Sequence, residues 1–137
     1  MATQAVGQIL EIETQTAGDA WELEIFGENL RSGFTVVEAW FTVEHTRGEA
    51  VGTVPIRQHI TAAASSAGQV TDNGASTGTA VLLFQVPPSL TGPLNTNTDG
   101  SSVQFKTGLE VLLSDGAGTY PRTPGAGTLD VLPPIVS

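Results

Sequence analysis

Apolar and polar residues alternate along three widely separated stretches, and this periodicity limits what the chain can fold into. Residues 38–46 (Glu-Ala-Trp-Phe-Thr-Val-Glu-His-Thr), 103–116 and 125–132 carry it most clearly. Successive side chains of a strand point to opposite faces, so a period of two interrupted by turn residues describes a half-buried antiparallel sheet. The device recurs at 8–14, where Leu10 and Ile12 alternate with Glu11 and Glu13. It recurs again at 20–26, where Trp21, Leu23 and Ile25 alternate with Glu22 and Glu24. Within 34–45, Ala39, Phe41 and Val43 share one face and Trp40, Thr42 and Glu44 the other. A weaker strand at 53–61 contains Pro55, which cannot donate to a ladder and so belongs at an edge or bulge. Residues 79–86 are nearly all apolar, as in a central strand covered on both faces, and Pro87-Pro88 ends them.

About seven strands and no helix are therefore expected, in a single antiparallel β-sandwich with a core tryptophan on a central strand. Its connectivity is immunoglobulin-like or jelly-roll; the pattern fits both. Strands 8–14 and 20–26 are expected to pair as a hairpin. The core spans about residues 8–132, with short extended arms at either end of the single domain 1–137. Leu10, Ile12, Leu23, Ile25, Phe41, Val43, Leu82, Phe84, Phe105, Leu109, Val111, Leu129 and Val131 are predicted inside. Residues 62–78 are small and polar and read as an exposed, mobile loop, in which Asn73-Gly74 is placed to close a short hairpin.

A chain of 137 residues can bury a core without covalent staples. It contains no cysteine, which excludes disulfides and thiolate metal sites. Residues 1–10 lack the basic and apolar regions of a secretory signal, so synthesis in a cytoplasm is expected. Five Lys and Arg stand against fourteen Asp and Glu, a formal net charge of −9, and nine of the acids lie between Glu11 and Glu49. Such a surface is a poor partner for nucleic acid, whose binding depends on neutralising phosphates, and for an anionic membrane. The carboxylates read either as solvated faces of edge strands or as a patch that docks on a basic partner.

Chemical motifs are sparse. His45 and His59 lie on different predicted strands, and neither sits beside a strained nucleophile turn, so structural or surface roles are expected. Asn95, Asn97, Asp99 and Gly100 match the start of a calcium loop, but the twelfth position is Lys106 where a bidentate Glu is needed. Glu22 and Glu24 share one strand face on the solvent side, which is weak grounds for a glycosidase pair. No enzymatic activity, cofactor or metal is expected.

Several segments together resemble a known family. Residues 39–45 (Ala-Trp-Phe-Thr-Val-Glu-His), 80–87 (Ala-Val-Leu-Leu-Phe-Gln-Val-Pro), 105–113 (Phe-Lys-Thr-Gly-Leu-Glu-Val-Leu-Leu), an Asp-Gly turn at 115–116 and 123–131 (Thr-Pro-Gly-Ala-Gly-Thr-Leu-Asp-Val) are similar to the immunoglobulin-like N-terminal domain of tailed-phage baseplate upper proteins. They are similar also to small stand-alone phage proteins built on it. The likeness covers about residues 8–132. It implies a non-enzymatic structural protein of a virion, docked as capsid cement or decoration or as a tail or baseplate component. A soluble carbohydrate- or protein-binding sandwich outside a virion is the alternative, and its aromatic candidates are Trp21, Trp40 and Tyr120. The expected partners are a major capsid or tail protein, and the chain itself as dimer or trimer. Contact is assigned to Glu11, Glu13, Glu22 and Glu24 on an acidic face, and to Val6, Leu132, Ile135 and Val136 at the chain ends.

Overall fold

Strands form along most of the stretches with a two-residue period, although of 8–14 only Gln8–Ile9 is strand among the described residues. The computed structural model describes residues 8–10, 12–28, 30–47 and 49–134. Within them run β1 (Gln8–Ile9), β2 (Gln15–Thr16), β3 (Trp21–Gly27), β4 (Thr35–Glu44), β5 (Ile56–Thr61), β6 (Gly68–Asp72), β7 (Ala80–Val86), β8 (Val103–Ser114) and β9 (Thr119–Leu132). Helix among these residues amounts to one turn, α1 (Pro88–Thr91), and 3-10 turns at Val51–Thr53 and Gly92–Leu94. Pro88 suits the first turn of α1, where a backbone N–H would find no partner anyway.

Two sheets pack face to face. The larger runs β5-β4-β8-β9, with β1 and β2 added at the β9 edge; the smaller runs β3-β7-β6. All strand pairs are antiparallel except β1 and β2, which lie parallel to β9 through Gln8↔Gly125 and Gln15↔Val131. With the opening segment set aside, β3-β7-β6 facing β5-β4-β8-β9 is the Greek-key order of an immunoglobulin-type sandwich. Of the two connectivities that suit the sequence, the jelly roll is therefore excluded.

The expected hairpin between 8–14 and 20–26 does not form. Leu10 donates its N–H to Ala126 O and Ala17 to Leu132 O, so the opening segment follows β9. The chain then crosses to the other sheet, where Trp21 is buried and its Nε1 donates to Thr16 O at 2.9 Å. β3 pairs instead with β7 over its whole length, from Trp21↔Val86 to Gly27↔Ala80. The core tryptophan is thus Trp21 on an edge strand, while Trp40 on the central β4 faces outward.

Residues 62–78 are not simply a loop. They contain β6, which pairs with β7 and buries Val70, and the Asn73-Gly74 turn leads back into β7 with Gly74 at a φ of 85°. Small residues are what permit this strand: Gly68 has a φ of 126°, and a Cβ there would collide with the Leu83 carbonyl oxygen. β9 also starts six residues earlier than its alternation suggests. Pro121 sits opposite Leu112 on an edge where β1 has not yet joined, so no ladder N–H is lost.

Every residue predicted inside is buried except Ile12 and Ile25, which are half-buried against the core. At its centre Phe41 of β4 meets Phe84 of β7 across the sheets, ring centroids 5.7 Å apart and tilted by 45°. Gln58 of β5 is buried beside them and its amide donates to Gln85 O at 2.6 Å, tying the sheets with a polar bond as well. Truncating Phe84 to Ala should lower stability by about 3–5 kcal/mol in urea denaturation. Thr107 is wholly buried and its hydroxyl has no partner among the described residues. Thr107→Val should therefore raise stability, by about 1 kcal/mol, because it removes an unsatisfied group rather than a bond. Gly68→Ala should lower the denaturation midpoint more than a typical surface change, through loss of the β6–β7 pairing.

Candidate interaction surface

The outer face of the small sheet follows directly from the alternation in β3 and β7. With Trp21 and Leu23 turned inward, Glu22, Glu24 and Phe26 must turn outward. With Leu82, Phe84 and Val86 inward, Val81, Leu83 and Gln85 face the same way as those three. Pairing then sets Phe26 beside Val81, Glu24 beside Leu83, and Glu22 beside Gln85, with Gln69 of β6 flanking Leu83 on the other side. Phe26 is 48% exposed, the most exposed large apolar side chain among the described residues. Covering one such side chain fully is worth about 1.5–3 kcal/mol, so Phe26, Val81 and Leu83 form a small reserve of binding energy left open to solvent.

The same face is purely acidic. β3, β7 and β6 contain no Lys or Arg. Glu22 and Glu24, two residues apart, are roughly 7 Å from one another along the strand. Their repulsion is about 0.6 kcal/mol in water and rises to about 2.4 kcal/mol at an effective dielectric of 20. Water therefore makes the pair cheap, and any partner that excludes water must supply positive charge.

The outer face of the large sheet is arranged differently, because its charges meet each other. His59 Nε2 lies 2.7 Å from Glu38 Oε1, and its ring stacks on Trp40 at 4.9 Å with an interplanar angle of 11°. Arg57 lies 5.7 Å over the same indole and 3.6 Å from Glu110. Arg47 folds back from the loop after β4 to bind Glu44 at 3.1 Å, Thr107 O at 2.8 Å and Gly127 O at 3.1 Å. Glycine at 108 leaves room for it: a Cβ there would lie 3.4 Å from the Arg47 guanidinium. His45 pairs with Glu49 at 3.2 Å. Both histidines therefore serve the internal cohesion of this side of the sandwich.

Of the residues assigned to partner contact, Glu13, Glu22 and Glu24 come together. They line one cleft of about 270 Å³ with Ile12, Gln15, Leu23 and Ile25, although the segments carrying them do not pair. Leu132 is exposed at the end of β9, on the other sheet, so it does not join them. Glu11, Val6, Ile135 and Val136 lie outside the described residues. Phe26, Val81 and Leu83 were missed by sequence reasoning because a nearly unbroken apolar run reads as covered on both faces; the signal was that β3 interrupts its acidic face with Phe26.

Of the aromatics considered for sugar stacking, Trp21 is buried and Trp40 and Tyr120 make contacts within the chain. Trp21 is 2% exposed. Trp40 is covered by His59 and Arg57, and Tyr120 packs on Phe34 at 5.9 Å while its hydroxyl donates to Asp115 at 3.2 Å. The calcium-like segment is a folded turn. Asn95 is buried, its amide donating to Ser101 O and Val131 O and its carbonyl accepting from Asn97 N, and Asp99 accepts from Ser101. Among the described residues no group of three or more His, Asp or Glu could hold a metal ion.

Comparison of the chain with protein-family models, curated proteins and solved structures returns no match.

Three turn carboxylates are held below their ordinary pKa. The Ser101 hydroxyl and N–H stabilise ionised Asp99, the Ala117 and Gly118 N–H groups do so for Asp115, and the His45 N–H does so for Glu49. A group whose folded pKa is depressed stabilises the fold above its unfolded pKa and loses that contribution as pH falls through the folded value. Thermal melts should therefore show stability intact at neutral pH and declining below about pH 4. Asp99→Asn combined with Asp115→Asn should flatten that decline.

Proposed function

We propose that this chain is a non-enzymatic structural protein of a tailed-phage virion, an accessory module that docks on the particle as capsid cement or decoration or as a tail or baseplate component. One observation carries the reading: the two outer faces are unequal. On the large sheet bases lie among the acids and pair with several of them, Arg57 with Glu110 and His59 with Glu38, whereas the small sheet leaves an apolar row and carboxylates with no cation on its strands for another molecule to cover. A module that forms one layer of an assembly requires a rigid scaffold with one such face. The segments that resemble the phage domains support the reading too, since 39–45, 80–87, 105–113 and 123–131 fall largely on β4, β7, β8 and β9. Self-association as dimer or trimer belongs to other surfaces, because two copies of this face would repel.

Quantitative protein analysis of purified particles tests the proposal. The chain should be present at fixed stoichiometry to the major capsid protein. Copy numbers in the hundreds place it on the head, and a handful on the tail. Absence from particles, with the chain abundant in infected cells, overturns the reading.

A further inference from the structure

We propose that the outer face of β3-β7-β6 docks a different protein, one whose matching surface is apolar at its centre and lined with Lys or Arg, and that it does not pair with a second copy of this chain. The inference deepens the docking role above by naming the chemistry of the partner. Two features on this face decide it, and they pull in different directions.

Phe26 lies opposite Val81, and Leu83 follows Val81 on the same face of β7, so the apolar part alone would favour stacking of two identical faces. A twofold contact is self-complementary: whatever one copy presents, the other must accept. Here each copy presents Glu22 and Glu24 beside the apolar row and no cation on the three strands. Stacking would bring four carboxylates together as water leaves, between molecules that each carry a net charge of −9. The carboxylates thus reject the homodimer that the apolar row would otherwise form.

The chain's own cations do not relieve this. Arg57, Lys106 and Arg122 lie on strands of the large sheet, and Arg47 is spent on Glu44 and two backbone carbonyls. Arg31 stands in the loop after β3, off the three strands. A partner that supplies Lys or Arg opposite Glu22 and Glu24 converts the repulsion into attraction and selects its own orientation. The amides of Gln69 and Gln85 can then hydrogen-bond at the rim. Such a contact is specific because it fails against copies of the chain itself.

The test is an amide-resolved NMR titration of the whole chain with two β-hairpin peptides. One presents leucines flanked by lysines; the other has glutamates in place of the lysines. The lysine peptide should shift resonances of residues 22, 24, 26, 81 and 83. Its affinity should fall roughly tenfold in Glu22→Lys/Glu24→Lys, and by a similar factor from low to high salt. Phe26→Ser, at an exposed position that should leave the circular dichroism spectrum unchanged, should weaken binding without changing the salt dependence. Equal binding of both peptides, shifts centred on the large sheet, or a wild-type dimer in ultracentrifugation that Phe26→Ser abolishes would each overturn the inference. The titration does not depend on the virion role. A chain present in particles but silent to the lysine peptide sinks this surface alone, and the reverse result sinks the virion role alone.

Discussion

The contact between Phe41 and Phe84 is the constraint on which the other features rest. It joins the central strand of one sheet to the central strand of the other, and each ring is entirely buried. Once those two side chains face inward, the period of two dictates the orientation of their neighbours along β7 and, as far back as the bulge between Val36 and Glu38, along β4. Trp40 and Leu83 are outward because Phe41 and Phe84 are inward. The surfaces are thus consequences of the core, and their different chemistry was written into the alternate positions.

That division explains how much of the fold was legible. β4, β7 and β8 could be read closely because each carries a long apolar face, and β5 was correctly demoted to an edge by Pro55. β6 could not be read in this way. Its place depends on Gly68 fitting under the Leu83 carbonyl, and closeness of backbone leaves no hydrophobic trace. Of the strand read at 8–14 only Gln8–Ile9 forms among the described residues, and its pairing with β9 was not visible, since Glu11 and Glu13 look the same in sequence whichever sheet receives them. Asn95 shows a third limit: a polar turn reads as surface, whereas Asn95 is buried and its amide holds two backbone carbonyls.

The candidate interaction surface was half legible for the same reason. Glu22 and Glu24 announced an outward acidic face. Their apolar companions came from a strand whose run of Val81, Leu82, Leu83 and Phe84 hides which side is wet. Only the register between β3 and β7 puts Phe26 next to Val81 and shows that acid and hydrocarbon share one face. Residue type supplied the ingredients, and pairing supplied the site. The larger sheet carries more charged groups, and there bases lie among the acids: His59 meets Glu38 and Arg57 meets Glu110.

The parallel seating of β1 and β2 against β9 bears on how the chain reaches this state. Gln8 and Ile9 meet partners at Gly125 and Ala126, so the first strand made waits for nearly the last. The small sheet can assemble once β7 exists, with Phe41 of the earlier β4 to cover Phe84, but β4 then lacks its β8 neighbour and the opening segment its β9 partner. A nascent chain therefore passes through a stage with one edge of β4 and its opening segment unpaired. Closing such distant contacts is slow, in the range of milliseconds to seconds for sandwiches of this kind. During that interval the carboxylates of β3, early in the sequence and already displayed, act as a guard against association of half-made copies.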